Sequence, residues 1–230
     1  MTNSPSPTSS FSESSGSLRS VSKLGLFFLD SDIFILCAGA GLLPDLVEAA
    51  GFEMSRSRRL RPLPHMLRKG RIPKKYSVAA IEKAAAWCSR IPAADGPPSA
   101  ALVEQLVRVP GIDAGEAFLF ALAAESDSAI ATGDKRACLA LHASDCPAKG
   151  ALKGKVVCFE TALWMLLGRL EYTTLAKALA PAMEYNNTLR ALLPQGEETI
   201  ESSFKEGLRS YTADLESKVG DLLFRIEIPG

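Results

Sequence analysis

The run Leu24 to Leu29 constrains this chain more than any other segment. It is apolar throughout and stops at Asp30-Ser31-Asp32. A half-exposed strand would alternate apolar and polar residues. An unbroken apolar run ending at a turn signal fits a strand buried on both faces, as in a parallel sheet. The acid at its end adds a second constraint, because a carboxylate placed there is costly unless it meets a ligand or a partner. Ile33 to Leu36 prolong the apolar stretch, but Asp30 and Asp32 interrupt it. Nothing reaches the roughly 18 apolar residues that a membrane-spanning helix needs.

Downstream, strand and helix patterns alternate. Gly41 to Ala50 reads as a helix, with Leu42, Leu46 and Ala49 or Ala50 on one face. Ser77 to Arg90 is an alanine-rich helix, and Pro92, Gly96, Pro97 and Pro98 make a loop. Ser99 to Val107 is helical, and a further helix begins near Glu116 and ends at about Glu125. Ser128 to Thr132 reads as a short strand, and Gly133-Asp134 opens a helix through His142. Val156 to Phe159 is another strand, with a helix from about Glu160 to Arg169. This alternation predicts an α/β fold with a mostly parallel sheet. From about Tyr172 to Ile226 the chain reads as helices broken near Pro181 and Pro194. The organisation expected is a Ser-rich tail over 1–22, an α/β domain over 23–170 and a helical extension over 171–230. That extension is a candidate surface for a protein partner or a homo-oligomer.

Composition narrows the function. The 230 residues carry 26 basic and 26 acidic side chains, which excludes a uniformly basic nucleic-acid coat and a highly acidic disordered chain. Aromatic residues are only 7%, too few for an aromatic base-stacking platform. Five cysteines, an odd count with no Cys-x-x-Cys pair, argue against a disulfide framework and for a reducing compartment, so a soluble cytoplasmic protein is expected. Cys138, His142 and Cys146 recur every four residues, but three ligands on one straight helix cannot close a tetrahedron around zinc. The first twenty residues hold nine serines and no apolar core of a secretory signal, so they read as a flexible tail.

Parallel sheets gather ligands at the carboxyl ends of their strands. Asp30 and Asp32 end the first strand, Asp134 follows the strand at Ser128 to Thr132, and Glu160 follows Val156 to Phe159. Glu116 starts a helix after a glycine, where it can turn toward the same rim. Carboxylates crowded on one rim repel one another and have raised pKa values unless neutralised. Mg²⁺ or Mn²⁺, with hard oxygen ligands, is the usual remedy and can support phosphate chemistry without histidine. Each acid also has a plainer reading: Asp134, Asp113 and Glu116 can cap or complement helix N-termini.

Three pieces carry a resemblance: Phe28-Leu29-Asp30-Ser31-Asp32-Ile33, Gly115-Glu116-Ala117 and Ala131-Thr132-Gly133-Asp134-Lys135. In this order they resemble a PIN domain, the fold of many metal-dependent ribonucleases, over roughly residues 24 to 170. The resemblance implies a three-layer α/β/α architecture with a central parallel sheet. It also implies that Asp30, Glu116 and Asp134 are catalytic acids holding Mg²⁺ or Mn²⁺, with Asp32 able to join them. The family frequently has a fourth acid shortly after the third. None lies within Lys135 to Leu141, so Glu160 or Asp32 must serve, or the site is depleted.

Between Glu53 and Glu82 there is no acid, while Arg56, Arg58, Arg59, Arg61, Arg68, Lys69, Arg71, Lys74 and Lys75 give nine positive charges. This stretch is either a solvated face or a phosphate-backbone contact surface for RNA. His65 and Tyr76 are candidates to stack on a base. The expectation is therefore a metal-dependent ribonuclease. Two alternatives stand beside it. One is a haloacid dehalogenase-like phosphatase, which Asp30-Ser31-Asp32 and Gly133-Asp134 also fit, although it gives Glu116 no role. The other is a PIN-like scaffold that binds RNA or protein without cleaving.

Overall fold

Three residues, Phe27–Leu29, form the strand β1 on which the molecule is built, and all three are buried. The computed structural model describes residues 25–226. The Ser-rich segment, and Leu24 of the expected first strand, lie outside the described residues. Gly25 and Leu26 lead into β1: the Gly25 N–H donates to the Asp127 carbonyl at 3.2 Å, and the Leu26 carbonyl accepts the Ala129 N–H at 3.0 Å. The Leu26 N–H goes to a side chain, the Ser128 hydroxyl, at 2.9 Å. A Cβ at Gly25 would come within 2.7 Å of the Ser126 carbonyl oxygen, so only glycine fits this approach.

From β1 the chain runs through α1 (Ser31–Ala40) and α2 (Leu43–Ala49) to β2 (Ser57–Arg59). Short turns of helix, α3 (Leu63–Met66) and α4 (Ile72–Lys75), lead to α5 (Val78–Cys88) and α6 (Ala100–Val107). Then come α7 (Ala114–Glu125), β3 (Ala129–Thr132), α8 (Lys135–Ala143), α9 (Pro147–Ala151), β4 (Val156–Cys158) and α10 (Phe159–Leu167). The chain continues with α11 (Tyr172–Leu179), α12 (Asn187–Leu192) and α13 (Glu201–Val219).

The four strands form one all-parallel sheet in the order β2-β1-β3-β4. Every residue of β1, β3 and β4 is buried, so side chains pointing to opposite faces are all covered. Helices flank the sheet, and the architecture is the expected three-layer α/β/α. Both edges are closed. On the β2 side, Arg59 bridges to Ala93, and its N–H donates to the Pro92 carbonyl at 3.1 Å. On the β4 side, Val156 bridges to Leu223, and the Phe224 N–H donates to the Val156 carbonyl at 2.8 Å.

Local differences from the sequence expectations have physical causes. Ile33 to Leu36 lie in α1, a helix capped by Asp30 and ended by Gly41 at φ 77°, so the expected helix at Gly41–Ala50 is α2 preceded by a left-handed turn. β2 lies inside the basic stretch, where charge conceals the strand pattern; it is an edge strand with half-exposed arginines. Phe159 opens α10 instead of ending β4.

One continuous hydrophobic cluster runs from Phe27 to Leu223 and includes Leu175, Leu189, Phe204 and Leu208 of the C-terminal helices. Phe27 stacks on Phe52 with ring centroids 4.8 Å apart. Within the core, the Trp164 indole N–H of α10 donates to the Thr212 hydroxyl of α13 at 3.0 Å. Thr212→Val leaves that N–H buried and unpaired at a cost of about 1–3 kcal/mol. The expected readout is a lower urea midpoint with an unchanged slope; an unchanged midpoint would show that α13 does not share the core's stability.

Candidate metal and RNA site

The register of β1 against β3 sets the site. The Asp30 N–H donates to the Ala131 carbonyl at 2.9 Å, so Asp30 leaves the sheet beside the end of β3. Asp30 caps α1: its Oδ1 accepts the Ser31 N–H at 2.6 Å. Its Oδ2 accepts a long bond, 3.4 Å, from the Thr132 hydroxyl. That hydroxyl oxygen accepts the Asp134 N–H at 3.1 Å, so one threonine at the end of β3 ties the two acids together.

Asp134 caps α8, accepting the N–H groups of Arg136 at 2.8 Å and Ala137 at 3.1 Å. Asp113 and Glu116 form a capping box at the start of α7. Asp113 Oδ1 accepts the Glu116 N–H at 2.9 Å, and Glu116 Oε2 accepts the Asp113 N–H at 2.8 Å. The plainer capping readings therefore hold as geometry for Asp113, Glu116 and Asp134, and Asp30 caps a helix as well; the charges of Asp32 and Asp113 act on Asp30, and Glu116 interacts with Asp134 and Asp113.

Burial and these contacts together set their proton affinities. Burial pushes the Asp30 carboxyl up to about 7, and the charges of Asp32 and Asp113 push the same way. Burial also lifts Glu116, to about 8, aided by its hydrogen bond and charge contact with Asp134. For Asp134, burial pulls upward, but hydrogen bonds from Arg136, Ala137 and Glu116 outweigh it and hold the group below the usual carboxylate range. Within this pair Glu116 is thus the more basic carboxyl and Asp134 the more acidic.

Asp32 sits in the first turn of α1, half exposed. Lys75 Nζ lies 2.6 Å from its Oδ2, and the Tyr76 hydroxyl donates to its Oδ1 at 2.6 Å. Glu160 stands apart on α10. It is fully buried, and Lys135 Nζ is 2.5 Å from its Oε1. The structure thus brings Asp30, Asp32, Glu116 and Asp134 to the carboxyl edge of β1 and β3, adds Asp113, and leaves Glu160 behind Lys135. Among the described residues no three His, Cys, Asp or Glu side chains already converge at metal-ligand geometry. Hard carboxylate oxygens of this kind are the donor type that Mg²⁺ or Mn²⁺ takes. Asp32 and Asp134 would exchange their Lys75 and Arg136 contacts for such an ion.

The structure divides the basic stretch. The Arg56 guanidinium donates to the Gly25 carbonyl, Arg58 to those of Ser55 and Ser57, Arg59 to those of Cys88 and Leu60, and Arg61 to that of Ala94. These four hold the β2 edge together, and Lys75 serves Asp32. Arg68, Lys69, Arg71 and Lys74 are exposed on the segment from α3 to α4 and have no bonded partner among the described residues. Tyr76 is buried, packed edge-on against Tyr185 at 4.8 Å, so it is not free to stack on a base; His65 is exposed. Cys138 lies 4.0 Å from Cys158, and α8 ends before Cys146, so the cysteine–histidine series does not share one helix.

Sequence reasoning did not assign the Thr132 bridge, the Tyr76 and Lys75 contacts to Asp32, or the Lys135–Glu160 pair. Asp113 was readable as a cap from its Asp-x-x-Glu spacing, but its membership of the rim needed the fold. The other contacts join residues far apart in sequence and leave no local signal. No helix among the described residues is long and apolar enough to cross a membrane. No known protein family, no curated protein and no solved structure matches this chain.

In the unfolded chain aspartate and glutamate titrate near 4. Asp30 at about 7 and Glu116 at about 8 therefore hold more protons in the folded state between those limits. Stability of the metal-free protein must then fall as pH rises through that window. Asp30→Asn is expected to raise the melting temperature more at about pH 8 than at about pH 5. Calorimetry at both pH values in EDTA checks this, and an equal shift at both would refute it.

Proposed function

We propose that this chain is a PIN-like metal-dependent ribonuclease. The observation that carries the reading is the placement of Asp30, Asp32, Glu116 and Asp134 at the carboxyl edge of a parallel sheet, where burial first and neighbouring acids second lift Asp30 and Glu116 above the carboxylate range. The order of motifs along the chain supports it, as do the four unpartnered cations on the segment from α3 to α4.

Asp30, Glu116 and Asp134 would hold Mg²⁺ or Mn²⁺, with Asp32 alongside. Such an ion supplies Lewis acidity at the scissile phosphate. The residues themselves supply position and charge. The Asp30 backbone, locked to Ala131, fixes the carboxylate relative to β3, and Thr132 orients Asp30 and Asp134 together. Glu116 and Asp30 must give up protons when the rim is loaded, so cation binding is linked to pH. Arg68, Lys69, Arg71 and Lys74 would draw the RNA backbone toward the rim without reading sequence.

Asp30→Ala is expected to lower Mn²⁺-dependent RNA cleavage by about a thousandfold, equivalent to about 4 kcal/mol of transition-state stabilisation, with the fold retained. Cleavage at the wild-type rate in that variant would sink the assignment. Neutralising Arg68, Lys69, Arg71 and Lys74 together should flatten the plot of log affinity for single-stranded RNA against log salt by about 2.8, at roughly 0.7 per contact. An unchanged slope would remove this segment from the RNA interface.

A non-catalytic scaffold is favoured by one observation: Lys75 and Arg136 already neutralise Asp32 and Asp134. RNA binding without cleavage, and without Mn²⁺ binding in a calorimetric titration, would decide for it. Hydrolysis of small phosphate esters with no RNA cleavage would decide for the phosphatase reading.

A further inference from the structure

A cleft of about 70 Å³ adjoins the acidic rim through Asp32, walled by the start of α1, the end of α4, the turn from β3 to α8 and the start of α12. Its space holds a few water molecules, the scale of a phosphate group and not of a nucleobase. Lys75, Lys135, Asn186 and Thr188 line it.

The polar groups here are unbalanced in a telling way. The Lys135 side chain keeps 34% exposure, while its partner Glu160 keeps none. The carboxylate is closed off from solvent, while Lys135 lines the cleft with its Nζ held between Glu160 and the face of the Tyr211 ring, 4.9 Å from the ring centroid. Neither Glu160 oxygen has a hydrogen-bond partner among the described residues, so its contribution is a counter-charge that holds Lys135 in place. Lys75 also lines the cleft, with its Nζ paired to Asp32. Asn186 spends its carbonyl oxygen on the Leu189 N–H at 2.9 Å, which leaves its amide NH₂ for a ligand. The Thr188 hydroxyl has no partner among the described residues. Asp32 is the one carboxylate on the wall, and Lys75 and Tyr76 each occupy one of its oxygens. Two ammonium groups, each paired with one carboxylate, line the cleft together with an amide NH₂ and a hydroxyl that have no acceptor of their own among the described residues, so its open hydrogen-bonding capacity is mostly donor. The complementary ligand is rich in acceptors, and an anionic one gains charge-assisted bonds from the two ammonium groups.

We propose that this cleft is a phosphate subsite, taking an RNA phosphate next to the scissile one, with Lys135 and Lys75 as its ligands and Glu160 as a positioning residue for Lys135. The identity of that phosphate rests on the ribonuclease reading; the donor chemistry of the cleft does not.

The test is direct binding in EDTA, with a short single-stranded RNA, uridine monophosphate and inorganic phosphate as probes. Lys135→Met combined with Glu160→Gln removes the ammonium without stranding a buried charge. Thr188→Val leaves that ion pair untouched. We expect RNA affinity to fall about tenfold in the double variant and by less in Thr188→Val, the scale of one charge-assisted hydrogen bond lost against one neutral one. Inorganic phosphate should compete with RNA in the wild type and not in the double variant. Both variants matching the wild type would overturn the proposal. Uridine monophosphate binding more tightly than RNA would overturn the assignment to an RNA phosphate and give the cleft to a free nucleotide.

Cleavage assays keep the two readings apart. Loss of RNA affinity in the variants of a wild type that never cleaves leaves the subsite and removes the nuclease. A double variant that cleaves with unchanged KM and kcat removes the subsite and leaves the nuclease. Glu160→Gln alone should raise KM with kcat held, which a purely structural role would not produce.

Discussion

The three-residue ladder between β1 and β3 is the constraint on which the rest of the molecule depends. Phe27, Phe28 and Leu29 pair with Ala129, Ile130 and Ala131, and β2 pairs on the other side of β1. A strand this short has few backbone bonds to hold its register, so the register rests on side-chain burial. A slip of one residue would turn Phe27 and Leu29 to the opposite face and lift Asp30 out of reach of Thr132. Position of the site and packing of the core are thus one property, set by the same residues.

The rim places a local cost inside that core. Carboxylates gather at the carboxyl edge of the sheet, and Asp30, Asp113, Glu116 and Asp134 each accept a backbone N–H at a helix start. Capping and crowding act in opposite directions. The caps lower the energy of the charged forms, while neighbouring acids and burial raise it. Asp134 falls on one side of that balance and Asp30 and Glu116 on the other. Polar groups that conflict with local stability in this way are where natural chains depart from the most stable sequence, and such departures concentrate at functional sites.

The sequence carried the α/β class because β1, β3 and β4 are short apolar runs next to acids or turn residues, and those signals are local. It pointed to Asp30 and Asp134 as candidates for the same reason, and to Glu116 as an acid at a helix start after a glycine. It did not reveal β2, because Ser57-Arg58-Arg59 is polar and joins the sheet only through its backbone. Nor did it separate the arginines that bind carbonyls from the cations that face solvent. Arg59 and Arg68 are the same residue type in the same acid-free stretch. Only the fold shows that Cys88 presents its carbonyl to one and that the other meets no partner among the described residues. Glu160 was visible as an acid after a strand, but its burial behind Lys135 is a packing outcome with no sequence signature.

The bridge between Val156 and Leu223 has a consequence for how the chain is made. β4 receives its outer partner from a segment that lies 67 positions later in the sequence. During synthesis, β1 to β4 and the rim acids all emerge before that segment does. Until Leu223 and Phe224 have left the ribosome, β4 presents an unpaired edge, which is an invitation to pair with a neighbouring nascent chain. The last turns of the molecule therefore act as its own edge guard, and a chain stalled short of them would carry a formed site on an unguarded sheet.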